Sequence, residues 1–354
     1  MQNTSSYWSK LAQELVPYVP GEQPSSAQSW IKLNTNENPY PPSPKTLEAA
    51  VRAVNAALRL YPDPESTALR QALARHHGVE PSQVFVGNGS DEVLALCFQA
   101  FFDPGAAVRV PDITYFFYEV FARLYRITLD VVPLRDDFSL PVEAYYDSPG
   151  GVVFANPNAP TGKALSLDEI AHIAQRNARI VIVDEAYVNF GAESALALLA
   201  RCPNIVVCRT FSKSHSLAGL RVGYAIASAE VIQALDRVKN AFNSFPLDRV
   251  AQAAAQAAIE DSAYYDDCTM KIIQTRDNTL QALVKRGFDV IPSVANFLFA
   301  THPAQDATQL QQALRQKHII VRQFHRPRID NYLRITIGTE PEMAALLAAL
   351  DEIL

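Results

Sequence analysis

Cysteine is scarce in this chain. There are four in 354 residues (Cys97, Cys202, Cys208 and Cys268), with no C-x-x-C and no pairing with histidine of the kind a metal site needs. Cys97 and Cys208 fall in apolar segments and read as small buried hydrophobes. A disulfide framework is therefore excluded, and a reduced, cytoplasmic protein is expected. The seven histidines include the adjacent His76 and His77 but no H-E-x-x-H, so metal catalysis has little support. Basic runs are also missing. A net charge of −6 spread along the chain leaves nucleic acid an improbable partner. No apolar run is long enough to span a bilayer, so no membrane association is expected. The start, MQNTSSYWSKLAQELVPYVPG, lacks a charged segment leading into an apolar stretch, so no signal peptide is expected.

What is present is the composition of a globular protein, 49% hydrophobic and 19% charged, in a chain too long for one simple core. Three regions follow. Residues 1–42 form an arm rich in Pro, Asn and Ser, residues 43–245 a large domain, and residues 246–354 a smaller one. Helical spacing runs from Ser43 to Leu60 and stops at Tyr61-Pro62-Asp63-Pro64. Short Val- and Ile-rich runs then alternate with helices. Strands are expected at Gln83–Val86, Ala106–Val110, Leu129–Val132, Val152–Ala155, Ile180–Val183, Ile205–Val207 and Val222–Ala227. Ser166-Leu-Asp-Glu169 has the form of a capping box. Such alternation indicates an α/β fold, a mostly parallel sheet covered on both faces. Leu247 to Arg286 reads as one long helix. It leads to a smaller unit with strands near Phe297–Ala300, Ile319–Val321 and Leu333–Ile337.

Four stretches carry chemistry. GNGSDE (87–92) follows a strand and opens a helix, which lets backbone N–H groups approach an anion; an ordinary glycine turn has the same composition. NPNAPTG (156–162) is a rigid loop at the carboxyl end of a buried strand, where open α/β sheets bind ligands. VIVDEAYVNF (181–190) ends a very apolar strand on Asp184, a costly carboxylate unless it meets a cation or a strong donor. A pyridinium N–H would serve, and so would a salt bridge. RTFSKSHSLAGLRVGY (209–224) sets Lys213 among hydroxyls, with Arg221 eight positions on. An amine that forms an imine with an aldehyde, beside a forked phosphate-binding cation, is one reading. A surface lysine with a structural arginine is the other.

Taken in order, these stretches resemble the fold-type-I family of pyridoxal-phosphate enzymes, specifically aminotransferases, over nearly the whole chain. The resemblance implies a seven-stranded, mostly parallel sheet flanked by helices, plus a smaller α+β domain. It implies pyridoxal 5′-phosphate as cofactor, with Lys213 its covalent attachment point and catalytic base. Asp184 would pair with the pyridine nitrogen, and Asn158 and Tyr187 would donate to the ring 3′-oxygen. Many relatives have a second asparagine where this chain has Ala159, which leaves Asn158 as the expected ligand. Tyr115 would stack on the ring face. The phosphate would be held by the backbone of Ser90 and Asp91 with Thr210, Ser212 and Arg221. Tyr61 would reach the neighbouring subunit's phosphate in a homodimer with shared active sites.

The arm, with KLNTNENPYPPSP (32–44), and the segments ANF (295–297), IIVRQF (319–324) and LRITIGT (333–339) are similar to those of histidinol-phosphate aminotransferases. That likeness places Arg322 and Arg334 at the acidic end of the substrate, Tyr18 closing over it and Asn36 on the substrate side. It implies small-molecule substrates: histidinol phosphate, with 2-oxoglutarate and glutamate in the return half. Aromatic amino-acid aminotransferases and a decarboxylase acting on threonine phosphate share most of these motifs and stay open as alternatives.

Overall fold

The computed structural model describes residues 7–18, 20–24 and 29–354; the rest of the arm, namely residues 1–6, Val19 and residues 25–28, lies outside them. Among the described residues, twelve strands run in chain order: β1 (Ile31–Leu33), β2 (Val84–Asn88), β3 (Val108–Pro111), β4 (Leu129–Val132), β5 (Val152–Ala155), β6 (Val181–Asp184), β7 (Ile205–Thr210), β8 (Val222–Ile226), β9 (Asp289–Ile291), β10 (Phe297–Thr301), β11 (Ile319–Gln323) and β12 (Leu333–Thr336). Seven of them form the large sheet, in the order β2-β8-β7-β6-β5-β3-β4. Strands β3 to β7 are parallel, while β8 runs antiparallel to both β7 and β2. The residues of β5 and β6 are buried throughout, because helices cover both faces and every second side chain cannot face water. One face packs on the helix Gly89–Phe101 through Val93, Cys97 and Phe98, the other on the helix Leu167–Gln175 through Ile170 and Ala174. The latter helix opens with the expected capping box of Ser166 and Glu169.

The smaller sheet has the order β1-β11-β12-β10-β9. Strand β1, from the arm, pairs parallel with β11, so the arm is an integral edge of this sheet. Its core gathers Leu33, Leu298, Val321, Ile335 and Leu346.

Two sequence expectations fail here. The helical spacing from Ser43 to Leu60 is an α-helix only over Pro44–Ala53, and Asn55 then caps a separate, tighter 3-10 turn at Ala56–Arg59 by accepting from the Ala57 N–H. The stretch from Leu247 to Arg286 is two helices, Arg249–Glu260 and Ser262–Lys285, which meet at Asp261. Asp261 leaves helical geometry (φ −106°, ψ 40°), and no Pro or Gly marks the break. The first helix buries Ala251, Ala255 and Ala258 against Leu69, Val84 and Tyr224 of the large-sheet core. Packing on two different bodies, rather than local propensity, divides the pattern.

Behind β7 and β8 lies a buried polar cluster. Arg209 donates to Glu185 at 2.8 and 2.9 Å, and the His77 ring is 3.0 Å from the Tyr224 hydroxyl. Burial, reinforced by the Arg209 charge, holds His77 neutral, its pKa falling to about 2; burial likewise lowers His215 to about 3, helped by His76 and Arg209. An unfolded histidine protonates near about pH 6.5. Between that value and the folded pKa the unfolded chain binds the extra protons, so stability falls as pH drops below about 6.5 and is unaffected above it. Each histidine contributes a slope of up to about 1.4 kcal/mol per pH unit in that window. Urea unfolding midpoints measured from pH 7.5 down to 5 should therefore fall, and His77→Gln should flatten the dependence.

Candidate active site

The parallel register lines up the carboxyl ends of β5, β6 and β7: Ala155 stands beside Asp184, and Asp184 beside Cys208. The loops that follow these strands therefore open on one side of the sheet. There they enclose a cavity of about 290 Å³, lined among others by Ser90, Asp91, Tyr115, Asp184, Tyr187, Thr210, Ser212, Lys213 and Arg221. Nine of the residues expected from sequence thus share one cavity.

Lys213 projects from the loop after β7, with its Nζ donating to the Thr35 carbonyl at 3.1 Å. Its pKa is lowered to about 8, chiefly by burial, with Arg334 and Arg221 pushing the same way and Glu37 and Asp91 opposing. Loss of hydration penalises the ammonium form, so the amine is available as a nucleophile near neutral pH. Its Nζ also lies 5.9 Å from the centre of the Tyr187 ring.

Asp184 is 4% exposed. It accepts the Tyr118 hydroxyl at 2.9 Å and the Ala186 N–H at 3.1 Å. Burial raises its pKa to about 6 against the effect of these donors. A buried carboxylate at the rim of a cavity is stabilised by a ligand that brings a positively charged N–H. Tyr118, one turn beyond Tyr115 in an aromatic run, was not singled out from sequence; a buried acid implies a donor without saying which.

The helix Gly89–Phe101 begins at the second glycine of GNGSDE, and its first-turn N–H groups have no partner within the helix. Gly89 has φ +80°, and a Cβ there would lie 2.5 Å from Nη2 of Arg221. A Cβ on Gly223 of β8 would lie 2.3 Å from the Ser90 nitrogen, so two backbones and a guanidinium meet where only glycine fits. Arg221 donates to Asp91 at 2.9 Å and reaches the Ser212 hydroxyl at 3.5 Å; Tyr115 donates to the other Asp91 oxygen at 2.7 Å. Strands β7 and β8 are antiparallel neighbours with Thr210 opposite Gly223, so the loop holding Lys213 and Arg221 is closed at its base by the ladder.

Two expected ligands are placed elsewhere. Asn158 faces away from this cavity. Its amide donates to the Ile113 carbonyl at 2.9 Å and to the Thr161 hydroxyl at 3.0 Å, and the side chain lines a small neighbouring cavity of about 90 Å³. The residue of that loop that faces Lys213 is Ala159. The rigid Pro-containing turn exposes the following position instead. Asn36, expected on the substrate side, is 1% exposed, and its side chain bonds the Tyr187 hydroxyl (2.9 Å) and the Thr336 hydroxyl (3.0 Å).

The remaining expected residues lie around this centre. Arg322 and Arg334 are direct partners across the β11–β12 ladder. Arg334 donates to the Asn34 carbonyl at 2.7 Å, its Nε is buried without a partner, and burial lowers its pKa. Tyr18 lines a cavity of about 770 Å³ together with Arg322, and another of about 820 Å³ together with Asp91, Tyr115 and Arg221. The shared residues join these spaces to the Lys213 cavity. Tyr61 stands outside all three, 78% exposed and stacked on Phe245 with ring centres 4.6 Å apart.

The depressed Lys213 pKa makes a direct expectation. In cofactor-free protein, amine-directed arylation of Lys213 should rise with a midpoint near pH 8, about two units below an exposed lysine, and Lys213→Ala should remove that fast-labelled peptide from the mass map.

Residues 28–350 match the family model described as aminotransferase class I and II. The histidinol-phosphate aminotransferase 2 of Burkholderia lata is 53% identical over 354 residues, covering 99% of each chain. A histidinol-phosphate aminotransferase of Acinetobacter baumannii is 53% identical over 350 residues, covering 98% of this chain and 97% of its own. Among solved structures, the Sinorhizobium meliloti histidinol-phosphate aminotransferase in complex with pyridoxal-5′-phosphate superposes with a TM-score of 0.88 at 28% identity, covering 100% of this chain and 99% of that one. With its motifs gathered at the carboxyl ends of one parallel sheet, the chain belongs to the class I and II aminotransferase family.

Proposed function

We propose that this protein transfers the amino group between L-histidinol phosphate and 2-oxoglutarate, giving imidazole-acetol phosphate and glutamate, with pyridoxal 5′-phosphate as its cofactor and histidine biosynthesis as its setting. The observation that carries this reading is one cavity holding a buried amine of lowered pKa, a buried carboxylate and a glycine-lined anion cradle, in a chain 53% identical end to end to histidinol-phosphate aminotransferases.

The residues fit the cofactor. Backbone N–H groups of Ser90 and Asp91, the hydroxyls of Thr210 and Ser212 and the Arg221 guanidinium suit its phosphate. Asp184 suits a protonated pyridine nitrogen, Tyr187 the ring oxygen and Tyr115 the ring face. When bound, the cofactor supplies a ring that withdraws electrons from the substrate carbon as its proton leaves. Lys213 provides the amine that holds the cofactor and a base that carries that proton.

Specificity for a phosphate follows from Arg322 and Arg334. Two like charges directly opposite on a ladder destabilise it, and a dianion between them reverses the sign of that interaction. Tyr18 lines the same space as Arg322 and offers a hydroxyl.

A homodimer is part of the proposal. Leu47, Val51, Val54, Leu58, Leu60 and Tyr61, close together in sequence, and Phe242 are all exposed apolar side chains, with Val51 at 72% and Phe242 at 73%. Exposed apolar side chains concentrated in one segment support a protein interface there. In the dimer we propose, Tyr61 would reach the second copy's phosphate cradle, as the family resemblance implies. We place the enzyme in the cytoplasm on the strength of its free thiols.

Purified protein should be yellow, and borohydride should fix the colour to the peptide containing Lys213. Lys213→Ala should fold but lose turnover by at least about 10³-fold. With 2-oxoglutarate as acceptor, histidinol phosphate should be preferred over phenylalanine by about a hundredfold or more in kcat/KM; the reverse order would overturn the substrate. If Tyr61 crosses the interface, mixing inactive Lys213→Ala with weakened Tyr61→Phe should restore about a quarter of wild-type activity in heterodimers with one intact site. No gain on mixing would place Tyr61 outside the neighbour's site.

A further inference from the structure

We propose that Asn36 is a positioning residue: it fills the acceptor side of the Tyr187 hydroxyl, so that the tyrosine's single proton is directed at the cofactor's ring oxygen, and that, among the described residues, Tyr187 is the only side chain that donates there. The proposal rests on the cofactor reading above and goes beyond it in assigning the arm a role in tuning the cofactor.

The bonding pattern gives the direction. Asn36 Nδ2 lies 2.9 Å from the Tyr187 hydroxyl. An amide nitrogen only donates, so the hydroxyl accepts, and its own hydrogen remains for another partner. The amide is oriented by Thr336, whose hydroxyl accepts the Asn36 backbone N–H at 3.0 Å and donates to Asn36 Oδ1 at 3.0 Å. The reversed amide would place two N–H donors on that hydroxyl and take away the acceptor of its proton. Asn36 itself is held in the left-handed region (φ 55°), which asparagine tolerates, with its carbonyl accepting from Asn296 at 3.0 Å. The Tyr187 ring is fixed edge-on to Phe297 at 5.1 Å.

The second half of the proposal follows from what faces Tyr187. The cavity residues contributed by β5, β6 and the loops after them are Ala155, Ala159, Asp184, Ala186 and Tyr187. Three are alanines and Asp184 is an acceptor. Asn158 commits its amide hydrogens to Ile113 and Thr161. The burden of donation falls on one hydroxyl. Burial raises the Tyr187 hydroxyl's pKa overall, with Asp184 and Asp91 pushing the same way; Arg334 and the Asn36 bond oppose this, so the Asn36 bond acts toward a more acidic, hence stronger, donor, and Lys213 lies over the ring.

A donor to the ring oxygen stabilises the negative charge that grows there when the Lys213-bound chromophore loses its proton, and so lowers the pH midpoint of its near-visible absorbance. The test is a spectrophotometric titration of holoenzyme. Asn36→Gly suits the positive φ, removes the donor and adds no charge. It should raise the midpoint by about 0.5 to 1 unit. Thr336→Val keeps the shape, frees the Asn36 amide to turn, and should shift the midpoint the same way by less. Tyr187→Phe should raise it at least as far, and adding Asn36→Gly to Tyr187→Phe should change nothing more. Unshifted midpoints in both Asn36→Gly and Thr336→Val, with the band intact, overturn the proposal. So does an equal Asn36→Gly shift in the Tyr187→Phe background, since Asn36 would then act without the tyrosine. If Asn36→Gly does not hold cofactor, Thr336→Val decides. Absence of any near-visible band in the wild type would instead overturn the cofactor reading itself.

Discussion

A carboxylate at the end of a fully buried strand sets the terms for this molecule. Asp184 terminates β6, whose other residues are Val, Ile and Val, in the middle of the large sheet. Such a group is costly to bury alone, by several kcal/mol if fully ionised. The structure offsets part of the cost with the Tyr118 hydroxyl and the Ala186 N–H and still leaves the pKa raised. A cationic ligand in the cavity would meet the remainder. Asp184 therefore couples stability to ligand: binding that neutralises it should stabilise the fold by more than the contacts alone would suggest.

The arm ties the smaller sheet to this centre. Strand β1 is an edge of that sheet, and the residues just after it reach the site one after another. The Asn34 carbonyl accepts from Arg334, the Thr35 carbonyl from Lys213, Asn36 donates to Tyr187, and Asn38 donates to the Lys213 and Ser214 carbonyls. A displacement of the smaller sheet relative to the large one is thus transmitted to the lysine and to the tyrosine beside it. Arg322 and Arg334, proposed above as the receivers of substrate charge, stand opposite each other on β11 and β12 of the same sheet. Polar contacts from Asn34, Thr35, Asn36 and Asn38 thus join this sheet to the cavity, beside the packing of Tyr187 on Ala295 and Phe297.

Much of this was readable from residues alone, and the exceptions have a common cause. Apolar runs such as VIVD and IVVC announce buried parallel strands, because they are too short for a helix and rich in β-branched residues. Glycine and proline placed at strand ends announced the loops, and the order of motifs announced the cavity. The errors lie where side-chain direction or long-range packing decides. Asn158 and Ala159 are adjacent, and nothing local says which faces inward from a Pro-rich turn. The break at Asp261 depends on two separate bodies receiving the two helices. Tyr118 and Asn36 act through partners 66 and 151 positions away, a distance over which periodicity carries no signal.

The β7–β8 ladder closes the segment between Thr210 and Gly223 into a hairpin. Its ends are joined by the sheet, so the entropy of bringing them together is met before any ligand arrives. The closed ends limit how far Lys213 can stand from Arg221, and the long-range bonds of Lys213 to Thr35 and of Arg221 to Asp91 fix the two side chains within that limit. A single-residue insertion there would misalign amine and guanidinium together, whereas length changes in the peripheral connections would leave their spacing intact. In the proposed cofactor site, the hairpin would be the ruler against which the cofactor's own length is measured.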